Sequence, residues 1–235
     1  MDRDLARRAS AEAVGTLLLV AVVVGSGIAA QRLSPGDPGL ELLENALATG
    51  AGLVALILAF GRVSGAHFNP VVTLADRILG GTTTLDGFVY VVAQIAGACV
   101  GCMVANIMFG VTAIDLSTRA RSSGALWFSE LVATFGLLIV ILGVVRTGRA
   151  TIAPFAVGAY ITAAYWFTSS TSFANPAVTI GRMLSNTFAG IRPASVPMFV
   201  VMQVAGALLA VFAARLWYPN LDAEDIVVPH ASEAA

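Results

Sequence analysis

Charge is what this 235-residue chain most lacks. Charged residues make up 11% of it, against about 25% in ordinary soluble domains, and every one of its thirteen basic residues is Arg. So little charge cannot cover a water-facing surface. With 57% hydrophobic residues and a mean hydropathy of +0.85, the composition is that of a chain embedded in a lipid bilayer. A net charge of −1 and a pI near 6.1 give no reason to invoke nucleic acid. Chemistry-bearing residues are scarce too. With two His and two Cys, the chain holds no His-Glu-x-x-His, paired-Asp or Gly-x-Ser-x-Gly pattern, so nothing in it suggests a catalytic residue, a metal site or a cofactor. Cys99 and Cys102 share one helix face beside Gly97 and Gly101. They read as small apolar groups at a close helix contact rather than as a ligand pair, and they say nothing of redox compartment.

Long apolar runs are what the chain has instead. Six spans fit, at about residues 12–30, 45–63, 87–109, 125–145, 153–170 and 195–217, each near the ~20 residues that cross a hydrocarbon core. The first run follows Arg3, Arg7 and Arg8, but it is longer than a signal-peptide core of about 7–15 residues and opens with Glu12, so it reads as a retained span. In a six-span topology Arg3, Arg7, Arg8, Arg62, Arg77, Arg146, Arg149 and Arg215 fall on one side, and Arg32, Arg119, Arg121, Arg182 and Arg192 on the other. The positive-inside rule then places both termini in the cytoplasm.

The most informative motif is an Asn-Pro step that occurs once in each half, in His67-Phe-Asn-Pro-Val-Val-Thr73 and in Phe173-Ala-Asn-Pro-Ala-Val-Thr179. Asn is a strong N-cap, and Pro at the first helical position needs no N–H partner. Asn69 with Pro70 and Val71, and Asn175 with Pro176 and Ala177, therefore start helices. The runs that follow, about residues 71–79 and 177–186, are half the length of a span. Irregular segments at 64–68 and 169–174 precede them, and such backbone is tolerated at membrane depth only where it lines a cavity or is buried in protein. Other landmarks also repeat in order. Glu12-Ala-Val-Gly-Thr16 matches Glu130-Leu-Val-Ala-Thr134, and Gln94-Ile-Ala-Gly-Ala98 matches Gln203-Val-Ala-Gly-Ala207. Each half holds three spans, an odd number, so the second runs inverted and the two half-helices meet near the midplane. The chain thus reads as one all-α transmembrane channel domain over 1–235, with a first repeat at about 9–110, a second at about 125–218 and a polar tail at 219–235. His230, in that tail, carries no signal.

These residues resemble the aquaporin and glycerol-facilitator (major intrinsic protein) family, over nearly the whole chain from about 9 to 217. The resemblance implies six transmembrane helices plus two re-entrant half-helices, a homotetramer with one pore per subunit, and passage of small neutral solutes and water. Carried over from the family's motifs, the selectivity filter falls on Thr49, Ala163, Ser172 and Val178. All four are small or medium and uncharged, where water channels carry an aromatic, a His, a small residue and an Arg. The expected filter is wide and lacks its arginine, which is similar to the bacterial subgroup associated with arsenic resistance and implies an inner-membrane channel for glycerol-type solutes and trivalent metalloid hydroxides such as arsenite. A water-selective channel with an unusual filter and a non-conducting junction protein of the same fold are the alternatives.

Four further residues carry open readings. Arg182 lies one helical turn after Val178 and either restores part of the lost charge or marks, with Asp76 in the first half, where a half-helix meets the interface. Glu12 and Glu130 read as acceptors for otherwise unpaired N–H groups of the re-entrant loops. His67 either gates the cytoplasmic mouth by protonation or makes a structural hydrogen bond.

Overall fold

A computed structural model describes residues 3–218. The expected polar tail and His230 lie outside the described residues. Among the described residues eight α-helices follow in order: α1 (Arg3–Leu33), α2 (Pro38–Ser64), α3 (Pro70–Leu79), α4 (Thr84–Met108), α5 (Gly124–Arg146), α6 (Ala153–Phe167), α7 (Pro176–Arg182) and α8 (Val196–Trp217). Short 3₁₀ turns precede α6 and α8, and among the described residues there is no strand. Six helices of the described residues are long and apolar enough to cross a membrane; α3 and α7 are not among them. The chain is a multi-pass membrane protein.

Three of the long helices start at a side chain that satisfies a first-turn N–H group. Asp37 caps α2 by accepting from Leu40 N, Thr83 caps α4 through Asp86 N, and Ser123 caps α5 through Leu126 N. Glycines in the left-handed region end α2 at Gly65 (φ 84°) and α3 at Gly80 (φ 96°). Outward faces remain apolar, with Leu47, Leu58, Val92, Phe128 and Phe212 exposed, as contact with lipid tails demands.

Helices pair by bringing backbones close. On α4, a Cβ added at Gly97 would stand 2.2 Å from the Ala13 carbonyl oxygen of α1, and one at Gly101 would stand 2.1 Å from that of Leu17. The second half repeats the device, since a Cβ at Gly206 of α8 would meet the Leu131 carbonyl of α5 at 2.4 Å. Cys102 is buried on α4 and Cys99 is partly buried, in keeping with the packing reading of the pair.

The two short helices run toward opposite faces. α3 ends beside the C-terminal part of α8, where Arg215 donates to the Ile78 carbonyl. The segment leaving α7 ends beside the C-terminal parts of α4 and α1, where Asn106 donates to the Leu184 carbonyl and Phe188 N donates to Gln31. α7 is shorter than the 177–186 expected from sequence and stops at Arg182. The carbonyls of Met183 and Leu184 turn away to accept from Ser117 N and Asp115 N of the 109–123 connection, so the chain leaves helical geometry to pair with that segment.

Candidate functional site

The tips of α3 and α7 meet at their caps. Asn69 Oδ1 accepts from Val71 N at 3.1 Å, and Asn175 Oδ1 accepts from Ala177 N at 2.9 Å and Val178 N at 3.2 Å, with Pro70 and Pro176 opening the helices. Each amide also reaches across to the other half. Asn69 Nδ2 donates to the Ala174 carbonyl and Asn175 Nδ2 to the Phe68 carbonyl, both at 2.8 Å. The sequence motif signals the caps but not this exchange, which ties the two re-entrant segments together and leaves one further N–H on each amide.

The segments leading into the tips are held in an unusual backbone. Ala66, Phe68, Thr171, Ser172 and Ala174 all have φ between 47° and 62°, a region that costs a non-glycine residue about 1–3 kcal/mol and persists only where surroundings impose it. Two buried carboxylates impose it. Glu12 accepts from Ser64 Oγ, His67 N, Phe68 N and Gln94 Nε2 at 2.6–3.0 Å. Glu130 accepts from Phe173 N and Ala174 N at 2.9 Å and from Gln203 Nε2 at 2.6 Å. Both glutamines then donate to a threonine of the adjoining half-helix, Gln94 to Thr73 and Gln203 to Thr179. Gly15 gives room for this arrangement, because any Cβ there would overlap the Phe68 ring.

A cavity of about 80 Å³ runs past both Asn residues. One water needs roughly 10–15 Å³ of such space, so the cavity holds a file of several small molecules. One wall is polar and irregular, formed by residues 65–69 and 172–175; the other is apolar, with Leu53, Ile57, Leu137, Ile141, Val157 and Ile161. Few hydrogen-bonding groups on one side of an apolar tube can guide a polar solute without trapping it.

The filter positions expected from sequence divide. Thr49, Ser172 and Val178 all line the cavity, and Ser172 Oγ is buried with no hydrogen-bond partner. Ala163 does not line it; it is exposed on the outer face of α6. Tyr165 stands in the cavity instead, its hydroxyl 3.1 Å from Thr49 Oγ1. A two-residue offset turns a helical side chain by about 200°, so counting back from the motif across the irregular 168–175 segment lands on the wrong face.

Arg182 is buried and lines the same cavity. Its Nε donates to the Ala189 carbonyl, and its Cζ lies 3.5 Å from the Phe173 ring centroid, a cation–π contact worth about 2 kcal/mol when desolvated. Arg121, which the sequence does not distinguish from its other arginines, approaches the same ring at 4.9 Å and donates to the carbonyls of Gly190 and Ser170. Asp76, the counterpart of Arg182 in the first half, is buried against Gly81 and is absent from the cavity wall. His67 lines the cavity with Nδ1 3.0 Å from Thr73 Oγ1 and its ring edge-on to Tyr90, which is the structural reading of that residue. Among the described residues no cluster of three or more His, Cys, Asp or Glu side chains is placed to hold a metal.

Known proteins share this chain's sequence and fold. Residues 2–174 and 152–234 match the family described as Major intrinsic protein. The chain is 51% identical over 212 residues, 90% of each protein, to aquaglyceroporin AqpS of Rhizobium meliloti (strain 1021). It is 33% identical over 225 residues, 89% of this chain and 97% of the relative, to glycerol uptake facilitator protein-like 6 of Lactiplantibacillus plantarum. The X-ray structure of the aquaglyceroporin from Plasmodium falciparum matches it with a TM-score of 0.72 over 92% of this chain and 98% of that one; at 22% identity this speaks for the fold alone. With the family matched from residue 2 to residue 234 and a relative about half identical over most of both lengths, the chain belongs to the major intrinsic protein family, whose members are membrane channels and not enzymes.

Proposed function

We propose that this channel passes small uncharged hydroxylated solutes, glycerol-type molecules and trivalent metalloid hydroxides such as arsenite, together with water. The observation that carries the reading is the residue at 178: in the wall of a cavity with volume for several small molecules, the position three residues after the second Asn holds Val, and Thr49 and Ser172 line the same cavity. Selectivity in pores of this type comes from diameter, lining hydrogen bonds and electrostatic barriers, and a branched apolar side chain there leaves room that a guanidinium fills. Asn69 and Asn175 present amide protons at the midpoint, Glu12 and Glu130 hold the re-entrant backbone in shape, and the tips of the half-helices disfavour cations. The resemblance to aquaglyceroporin AqpS supports the glycerol-type assignment.

Placement follows the same reading. The arginine asymmetry puts both termini in the cytoplasm of a bacterial inner membrane, and the assembly is a homotetramer whose subunits each carry a pore.

Val178→Arg tests the filter. Placed one turn from Arg182, a second guanidinium narrows the path and adds like charge. In proteoliposomes the flux of glycerol and of arsenous acid is expected to fall at least tenfold, equivalent to about 1.4 kcal/mol of added barrier, while water flux changes far less. An equal loss of all three fluxes in folded protein would count against a filter of size and charge at this position.

A further inference from the structure

Position 178 carries no charge, but the cavity does. Arg182 follows it by four residues, which on a helix is about 6 Å along the axis and about 40° around it. Its side chain therefore points into the same lumen one turn nearer the mouth, and it is 2% exposed.

A buried arginine in a purely structural role ordinarily has an acid beside it, because an uncompensated charge away from water is costly. This one does not. Among the described residues the ion pairs within 4 Å are Arg7 with Asp4 and Arg8 with Asp4 and Asp86, all far along the chain from Arg182. Its supports are neutral: the Ala189 carbonyl and the face of Phe173, whose ring also meets Arg121. These contacts fix the guanidinium's position, and the buried carboxylate of Glu130, acting from beyond ion-pair distance, offsets only part of its field. The second independent feature is Ser172 Oγ, a buried hydroxyl without a partner, on a residue that lines the same cavity as Arg182.

We infer that Arg182 is the charge selector of this pore, taking over at the outer mouth the role that an arginine at 178 would have, with Phe173 as the platform that holds it and Ser172 as the neutral hydrogen-bonding group beside it. Resting on the channel reading above, this assignment moves the barrier to cations one helical turn outward and leaves the Val178 level open to bulkier neutral solutes. A neutral solute passes the guanidinium without a charge penalty. A cation is repelled at the same point.

The test uses the full chain reconstituted in liposomes, with proton leak under an imposed diffusion potential and glycerol flux measured on the same vesicles. At an effective dielectric constant near 20, a unit charge about 8 Å from a passing cation slows it roughly thirtyfold. Arg182→Gln, and Arg182→Met as a second neutral variant that keeps the stem packed, are expected to raise the leak by roughly that factor while glycerol flux is retained. Arg182→Lys stays near the parent, and adding Val178→Arg to the Arg182→Gln protein suppresses the leak again. A leak at the parent level in the neutral variants, with glycerol flux intact, overturns the assignment. Absence of glycerol flux in the parent protein fails the channel reading itself and takes the assignment with it.

Discussion

Glu130→Ala is expected to yield little folded protein. Glu130 accepts from two backbone N–H groups, Phe173 and Ala174, and from Gln203. Leaving each backbone donor unsatisfied in the interior costs about 1–3 kcal/mol, so the two together remove about 2–6 kcal/mol. The positive-φ backbone at Thr171, Ser172 and Ala174 loses its restraint at the same time. Glu130→Gln keeps the size and one acceptor oxygen but turns an NH2 toward donors, so it should fall between parent and alanine. Glu12→Ala, in the other half, is expected to behave alike, because Glu12 accepts from His67 N and Phe68 N in the same manner. Thermal unfolding of the detergent-solubilised protein is the measurement. A midpoint for Glu130→Ala within about 2 °C of the parent, less than 1 kcal/mol for a chain of this size, would show that the carboxylate does not hold the loop.

Gly101→Ala should destabilise by a comparable amount through a different mechanism. The added methyl would lie 2.1 Å from the Leu17 carbonyl oxygen and 2.9 Å from the Leu17 Cα, so α1 and α4 must move apart as whole helices. Overpacking of this kind costs about 1–3 kcal/mol and occasionally more, and the displacement is transmitted to Glu12, which lies on the same helix α1. Gly97→Ala presses on the Ala13 carbonyl at 2.2 Å and, one turn away on the same seam, is expected to couple with the first substitution rather than add to it. Gly124→Ala is the control. It has open space around it, and a stability loss there equal to that at Gly101 would contradict the close-approach argument.

The parts of this architecture that were legible in the sequence are those built from local chemistry repeated twice. Asn-Pro can be read as a helix start from two residues, and its recurrence at Asn69 and Asn175 with Thr73 and Thr179 behind it marks two equivalent half-helices. Glu12, Glu130, Gln94 and Gln203 were visible as landmarks, and their hydrogen bonds to the re-entrant segments are found in the structure. What was not legible depends on contacts between distant segments. Tyr165 replaces Ala163 in the cavity because the helical phase of α6 is set beyond an irregular segment whose path no local signal reports. α7 stops at Arg182 because residues 115–117 compete for its trailing carbonyls, a pairing across about seventy positions of chain. Arg121 looked like any other arginine until folding brought it to the face of Phe173. The cross-half bonds of the two asparagine amides belong to the same class, since neither partner carbonyl has a side-chain signature.

The filter drawn from sequence as wholly small and uncharged is therefore more mixed in the folded chain. A phenol and a guanidinium border the cavity, Tyr165 beside Thr49 and Arg182 against Phe173. Val178 and Ser172 line the same cavity.

The central claim is that the cavity running past the tips of the two cross-tied half-helices conducts neutral hydroxylated solutes. Its most direct test is an osmotic experiment: full-length protein in proteoliposomes is exposed to a glycerol gradient, and the vesicle volume is followed by light scattering. The account predicts shrinkage followed by recovery much faster than in protein-free vesicles. Recovery no faster than in protein-free vesicles, with the protein shown to be folded in the membrane, would contradict it.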